Sequence, residues 1–230
     1  MIPFLSAFEE SARIETLREQ RYQLWRACLD VPEKIVLSYR SSLSPHERSA
    51  AESFRFPLHR SRYIVGRGLL RQIIGQYLNR PPEAIPLSVQ LPGGKPRLDH
   101  PELRFNLSHS GPVWVCAVSL KHEVGIDLEE IQPGFDWRPI AQRYFTLEEQ
   151  SHLSSISGEK ALGQFFSYWT RKEALTKATG EGLTGIASTA RVAADHDQID
   201  LSEGLRDWGK YAAWLALGRV KSVDSPLKSI

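Results

Sequence analysis

Two long helical patterns, one in each half of the 230-residue chain, constrain its fold more than any other feature. The first spans about residues 59–78 and the second about residues 160–179, and both carry apolar side chains at helical spacing. Each half runs from a strand through a shorter helix into the long helix, then past a glycine or proline stop into further strands. We therefore predict an α+β fold of two similar subdomains, related by pseudo-twofold symmetry, with a ligand cleft between them.

The boundary between the two subdomains is predicted just after Lys121. Residues 1–121 would form the N-terminal half, in which residues 1–33 are a partly helical lead-in and Lys34–Tyr39 is the first strand. Residues 122–230 would form the C-terminal half, which begins with a strand near residue 124 and ends in three antiparallel strands. Each half is long enough to bury a core.

The composition is that of a globular chain, with 41% hydrophobic residues, 24% charged residues and a net charge of +2. The longest apolar run, Val113–Val118, is far shorter than the ~20 residues that cross a bilayer, and the N-terminus lacks the basic start of a secretory signal. Cys28 and Cys116 match no zinc or CxxC spacing and are expected to be reduced thiols. We therefore expect a cytoplasmic protein that does not bind membranes.

Arginine is concentrated between Ser44 and Arg80. This segment contains seven arginines and only two acidic residues, both glutamates, which gives it a local charge of +5. The seven are Arg48, Arg55, Arg60, Arg62, Arg67, Arg71 and Arg80. Planar guanidinium groups suit phosphate, although a solvated basic helix face would explain the segment as well. Nucleic acid is not expected as a partner, because no helix-turn-helix, zinc-finger or RNP signature is present.

An acidic pair lies on the strand predicted near residue 124. Residues two apart on a strand share a face, so Asp127 and Glu129 point one way while Ile126 and Leu128 enter the core. Two carboxylates on one face repel each other unless a cation lies between them, and oxygen ligands suit Mg²⁺. A solvated strand face is the alternative interpretation of the pair.

A stripe of three side chains is predicted on the second long helix. Trp169, Glu173 and Lys177 stand four residues apart, with Lys172 beside them. The stripe offers a third carboxylate for a metal ion and ammonium groups for phosphate. An ordinary Glu–Lys pair beside a core tryptophan would also explain it.

The polar segment Phe105–Gly111 covers the end of a predicted strand, Leu103–Leu107, and most of the loop predicted at Ser108–Pro112, which leads to the next strand. Adjacent Ser108 and His109 would point apart on a strand, so they form no hydrolase dyad. They could donate hydrogen bonds to a phosphate or simply form a polar turn. Lys95 lies on a separate glycine-rich turn upstream.

Five motifs in this order and spacing resemble the 4′-phosphopantetheinyl transferases of the surfactin-synthetase-activating (Sfp) type. They are GRGLLR (66–71), GKP (94–96), FNLSHSG (105–111), GIDLEEI (125–131) and WTRKEALTKATGEGL (169–183). The resemblance implies a monomeric, Mg²⁺-dependent enzyme that transfers phosphopantetheine from coenzyme A to a serine of an apo acyl or peptidyl carrier protein and releases adenosine 3′,5′-bisphosphate.

The resemblance also implies roles for individual residues. The metal ligands would be Asp127, Glu129 and Glu173, and the catalytic residues would be Glu173, Lys177 and Asp127. The residues that bind coenzyme A would be Arg48, Arg62, Arg67, Lys95, Ser108, His109 and Lys172. Glu173 could act as a ligand, as the base for the serine, or as both.

The chain departs from the family near the basic segment. Glu47 and Ala50 stand where some members carry lysines, so the 3′-phosphate would be held by Arg48, Arg55 or Arg62. Glu149 corresponds to a family glutamate near the metal, with Glu148 one residue away.

Two other functions also fit the residues alone: a Mg²⁺-dependent phosphohydrolase, and a non-catalytic module that binds an acidic partner.

Overall fold

A computed structural model describes residues 5–7, 14–89, 96–180 and 194–218 of the chain. The helices are α1 (Ile14–Glu19), α2 (Glu33–Ser42), α3 (Pro45–Glu52), α4 (Pro57–Leu78), α5 (Arg138–Tyr144), α6 (Leu147–Ser155) and α7 (Gly158–Thr179). The strands are β1 (Leu5–Ala7), β2 (Gln23–Cys28), β3 (Leu87–Val89), β4 (Pro96–Leu98), β5 (Leu103–Ser110), β6 (Val113–Leu120), β7 (Val124–Glu130), β8 (His196–Asp200) and β9 (Tyr211–Gly218). Two 3₁₀ helices cover Pro82–Ala84 and Ser202–Trp208.

Two antiparallel sheets organise these elements. The first has the order β1-β2-β6-β5 and the second β7-β9-β8, while β3 and β4 form a separate hairpin. Long helices accompany antiparallel sheets in both halves of the chain, so the α+β prediction is confirmed. The pseudo-twofold relation between the halves and the boundary after Lys121 stay predictions.

Strand β6 is buried on both faces, which explains its continuous apolar sequence. On one face Trp114, Cys116 and Val118 belong to the core that includes the apolar stripe of α4. On the other face Val113 and Val115 pack in a second core with side chains of β7 and β9. The second core therefore joins the two sheets.

Helix α7 packs closely against the second sheet at Gly125 of β7. A Cβ at this position would collide with the carbonyl oxygen of Ala174 and the amide nitrogen of Ala178, so only glycine permits this approach. Ala174 and Ala178 are buried beside Ala216 of β9. The contact brings the last turns of α7 to the side chains of β7.

The sequence predictions for the two long helices are confirmed to within two residues at either end as α4 and α7. The strand predicted at Lys34–Tyr39 is wrong, because the segment lies in helix α2. Val36, Tyr39 and Leu43 are spaced three and four residues apart and are buried together, so packing favours the helix over the β-branched local sequence.

Three further predictions about strands need correction or lie outside the described residues. The lead-in contains β2, which pairs with β6 inside the first sheet. Residues 108–110, predicted as a loop, continue β5. The first of the three predicted C-terminal strands, near residues 189–194, falls almost wholly outside the described residues, whereas the other two correspond to β8 and β9.

None of the helices in the described ranges is both long and apolar enough to cross a membrane.

Candidate active site

Three elements bring a lysine, a carboxylate and a hydroxyl together. Lys177 of α7 donates from its Nζ to Asp127 Oδ1 of β7 over 2.6 Å, to Ser108 Oγ of β5 over 3.0 Å and to the carbonyl oxygen of Ile126 over 3.0 Å. Ser108 Oγ also donates to Asp127 Oδ1 over 3.0 Å. Because an ammonium has three N–H groups, these contacts engage all of them.

Polar side chains of β5 place this cluster by linking β5 to β7. Asn106 Oδ1 accepts from the amide nitrogen of Ile126, and Ser110 Oγ donates to Glu129 Oε2 over 3.0 Å. Asn106, Ser108 and Ser110 alternate along β5 and therefore share one face. The sequence prediction does not include Asn106 and Ser110 among the site residues, although their alternation with Ser108 becomes visible once β5 is extended to Ser110.

The carboxylates predicted as metal ligands influence one another. Burial raises the pKa of Glu129 above its ordinary value, and the negative charges of Asp127 and Glu173 raise it further. The hydrogen bond from Ser110 and the positive charge of Lys177 lower it in part. Negative charge thus accumulates where β7 meets α7, which is the condition that a cation would relieve.

The donor chemistry at this point fits Mg²⁺. Asp127 Oδ2 is buried and accepts no hydrogen bond from any described residue, which leaves it available to a cation. The candidate ligands Asp127, Glu129 and Glu173 supply oxygen atoms only. Within the part of the chain that the structure describes, no three histidine, cysteine, aspartate or glutamate side chains are already grouped as a metal site, so the metal assignment stays a prediction.

Positive charge surrounds His109 on the neighbouring stretch of β5. Desolvation lowers the pKa of His109, and the positive charges of Lys177, Arg62 and His59 lower it further. The imidazole is therefore neutral at physiological pH. Arg62 on α4 and Lys177 on α7, two predicted site residues far apart in the sequence, thus act electrostatically on the same group.

Lys172 points to a different neighbour. Its buried Nζ lies 3.0 Å from Glu149 Oε2 and 5.6 Å from the ring centre of Phe145. The same Glu149 oxygen accepts from the amide nitrogen of Thr146 in the capping box of α6. Lys172 and Glu149 therefore join α6 to α7, and a contact of Lys172 with coenzyme A stays a prediction.

The remaining basic candidates are dispersed. Arg67 lies over the ring of Tyr63, with 5.2 Å between the guanidinium carbon and the ring centre. Arg48 donates from Nε to the carbonyl oxygen of Leu43, and Lys95 lies outside the described residues. Arg71, one of the seven arginines, is buried in an ion pair of 2.7 Å with Glu47, which removes one charge from the basic surface.

Comparison with known proteins identifies similar sequences over both halves of the chain. A family model described as "4′-phosphopantetheinyl transferase superfamily" matches residues 123–216, and one described as "4′-phosphopantetheinyl transferase, N-terminal" matches residues 31–121. The 4′-phosphopantetheinyl transferase HetI of Nostoc sp. (strain PCC 7120) is 41% identical over 175 residues, which are 74% of this chain and 73% of HetI.

Two further relatives carry the same enzyme name. The 4′-phosphopantetheinyl transferase psf-1 of Bacillus pumilus is 40% identical over 66% of this chain and 65% of psf-1. The 4′-phosphopantetheinyl transferase AcpT of Escherichia coli (strain K12) is 34% identical over 67% of this chain and 77% of AcpT. The matched part of this chain thus spans from just under two thirds to about three quarters of these relatives.

Proposed function

This chain belongs to the 4′-phosphopantetheinyl transferase superfamily, and from that premise we propose that it moves phosphopantetheine from coenzyme A to a serine of an apo acyl or peptidyl carrier protein. The observation that carries the proposal is the cluster of Lys177, Asp127 and Ser108, which lies beside Glu129 where β5, β7 and α7 meet. Each of these residues belongs to a motif that resembles the family.

Asp127, Glu129 and Glu173 would hold Mg²⁺. A bound Mg²⁺ would supply positive charge to the diphosphate of coenzyme A. The buried Asp127 Oδ2, which has no hydrogen-bond partner among the described residues, supports this assignment, as do the burial and the neighbouring negative charges that raise the pKa of Glu129.

The proposed reaction exchanges one phosphorus–oxygen bond for another. The serine oxygen of the carrier bonds to the β-phosphorus of coenzyme A, and the bond from that phosphorus to the bridging oxygen breaks. Adenosine 3′,5′-bisphosphate leaves with the bridging oxygen, and Glu173 takes the serine proton. Such transfers depend mainly on positioning and charge stabilisation.

Lys177 supplies the charge for the leaving group. All its N–H groups are engaged by protein oxygens, so a contact with phosphate requires that it release at least one of them. Once released, an ammonium aimed at the developing negative charge can lower the barrier by about 3 kcal/mol, less the free energy lost with that protein contact. Substitution of Lys177 is therefore expected to reduce kcat more than affinity for coenzyme A.

His109 and Arg62 would bind phosphate groups of the nucleotide, and Ser108 would join them by turning its one O–H group from Asp127 toward the phosphate. The lowered pKa of His109 makes it a neutral hydrogen-bond donor, whereas Arg62 contributes charge. Arg48, Arg67, Lys95 and Lys172 complete the proposed set for coenzyme A. We also propose that the protein acts as a cytoplasmic monomer whose partners are coenzyme A and a carrier protein.

The intact mass of an apo carrier protein tests this function. After incubation with coenzyme A, Mg²⁺ and this protein, the carrier should gain the mass of one phosphopantetheine, and chelation of Mg²⁺ should prevent the gain. Asp127→Asn and Glu173→Gln variants should fold and give no gain. Phosphate release from coenzyme A without a carrier would indicate a phosphohydrolase, and carrier binding with unchanged mass would indicate a binding module.

A further inference from the structure

A bidentate ion pair holds Arg62 by one edge of its guanidinium group. Arg62 Nε donates to Asp30 Oδ1 over 2.7 Å, and Nη2 donates to Asp30 Oδ2 over 2.8 Å. The hydrogen bonds from Arg62 lower the pKa of Asp30, although desolvation opposes this effect. Asp30 is therefore a carboxylate at physiological pH, and the pair is the strong fork-to-fork type.

The backbone around Asp30 is fixed by the first sheet. Cys28 pairs with Val113 at the end of the β2–β6 ladder, and the next amide nitrogen, of Leu29, donates to the carbonyl oxygen of Pro112 over 2.7 Å. Asp30 follows immediately. A long and flexible arginine side chain on α4 is thus tied to a fixed point just past the end of β2, an inner strand of the first sheet.

Hydrogen bonds from the described residues leave the other edge of the Arg62 guanidinium open to a ligand. A guanidinium has five N–H groups, and Asp30 engages two of them. Desolvation lowers the pKa of His109 and raises that of Tyr211, and the positive charge of Arg62 acts on both groups, so the guanidinium on α4 lies near β5 and β9. The Arg62 side chain is 18% exposed, which leaves it partly open to solvent.

We propose that Asp30 is a positioning residue that orients Arg62 toward the 3′-phosphate of coenzyme A. The inference rests on the proposed function. Asp30 itself would not touch the substrate, but by holding Arg62 in one orientation it removes the entropy cost of ordering that side chain when the phosphate binds. Asp30 lies just before residues 31–121, which the N-terminal family model matches, and no motif in the sequence marks it.

Binding of coenzyme A and of dephospho-coenzyme A, which lacks the 3′-phosphate, tests this role. In the Asp30→Asn variant, the Kd and KM for coenzyme A should rise about 3- to 10-fold with kcat unchanged. The Kd for dephospho-coenzyme A should stay the same. In an Arg62→Met background the Asp30→Asn change should have no further effect, because the two residues act as a unit.

Two controls separate positioning from a general loss of structure. Glu52→Gln removes the carboxylate of another ion pair in the N-terminal half, the exposed 2.8 Å contact with Arg40, and should leave all the binding constants unchanged. Asp30→Glu keeps the charge and should recover part of the affinity for coenzyme A, even if Asp30→Asn is too unstable to measure.

Several results would overturn the inference. Unchanged or tighter binding of coenzyme A by Asp30→Asn would show that Asp30 does not position Arg62 or that it competes with the phosphate. Equal losses for both ligands would show a structural role only. Failure of the unmodified protein to bind coenzyme A would instead overturn the proposed function, and the inference with it.

Discussion

Lys177 contributes both to the stability of the fold, through its buried ion pair with Asp127, and to the proposed reaction. Its side chain and that of Asp127 are 12% and 5% exposed, so each charge depends on the other for compensation. Lys177→Met should lower the free energy of unfolding without metal by about 3 kcal/mol, because Asp127 is left as an unpaired buried charge. Urea denaturation measures this change, and added Mg²⁺ should restore more stability in the variant than in the unmodified protein.

Lys210→Met is the matched control for this prediction. Lys210 forms an exposed pair of 3.3 Å with Glu159, so its loss should change the free energy of unfolding by less than about 1 kcal/mol. Equal effects of the two substitutions would contradict the importance assigned to the Lys177–Asp127 pair.

His109 gives the site a pH dependence with a defined sign. Its folded pKa lies below the ordinary value of 6.5, so the unfolded chain binds the proton more readily. The stability that the neutral imidazole contributes is present above about pH 6.5 and is lost as pH falls toward the lowered pKa. His109→Gln should therefore lose less stability than the unmodified protein between pH 7.5 and pH 5, as measured by urea denaturation at each pH.

His46 provides the comparison for His109. It is exposed on α3, so replacing it by glutamine should change the free energy of unfolding by less than about 0.5 kcal/mol. If His109→Gln instead gave the profile of the unmodified protein, then neither desolvation nor the cations around His109 would lower its pKa in the folded protein.

At the scale of elements, the approach of α7 to β7 determines whether Lys177 reaches Asp127. Gly125→Ala would push α7 outward, because the added methyl group meets backbone atoms of Ala174 and Ala178. We expect a loss of about 1–3 kcal/mol in stability and a strong loss of transfer activity. Denaturation and the carrier mass assay measure the two effects.

Gly163→Ala tests whether the losses of stability and activity come from the contact of Gly125 with α7 or would follow any glycine-to-alanine change in that helix. Gly163 lies in the same helix with open space around it, so alanine should stabilise the protein by up to about 1 kcal/mol and leave activity unchanged. Normal activity in Gly125→Ala would contradict the link between this contact and the placement of Lys177.

Elements with a strong period could be predicted from the sequence, and those decided by neighbours could not. The apolar stripe predicted for α4 is buried in the structure, and Asp127 and Glu129 lie on a strand, β7, as predicted. The β-branched residues of helix α2 favour a strand locally, which makes the sequence prediction wrong there, while burial of Val36 and Tyr39 against the core decides the helix. The pairing of Asp30 with Arg62 joins residues 32 positions apart, and no local pattern reveals such a contact.

At the scale of the whole molecule, the two predicted halves share a core. Ile126 and Leu128 of β7 are buried in the same cluster as Val113 and Val115 of β6, so neither sheet covers its inner face alone. The site residues Ser108 and Asp127 lie beside this shared core, on strands that belong to different sheets. The distance between them therefore depends on the docking of the halves.

This arrangement predicts that the protein unfolds in one cooperative transition. Calorimetric and van't Hoff enthalpies should agree, and the transitions followed by fluorescence and circular dichroism should coincide. Val115→Ala should lower the free energy of unfolding by about 2 kcal/mol and shift both probes together, because the cavity lies between the sheets. Two separate transitions, with only one moved by the substitution, would show that the halves are independent, and the site would then have to be assembled by the bound substrate.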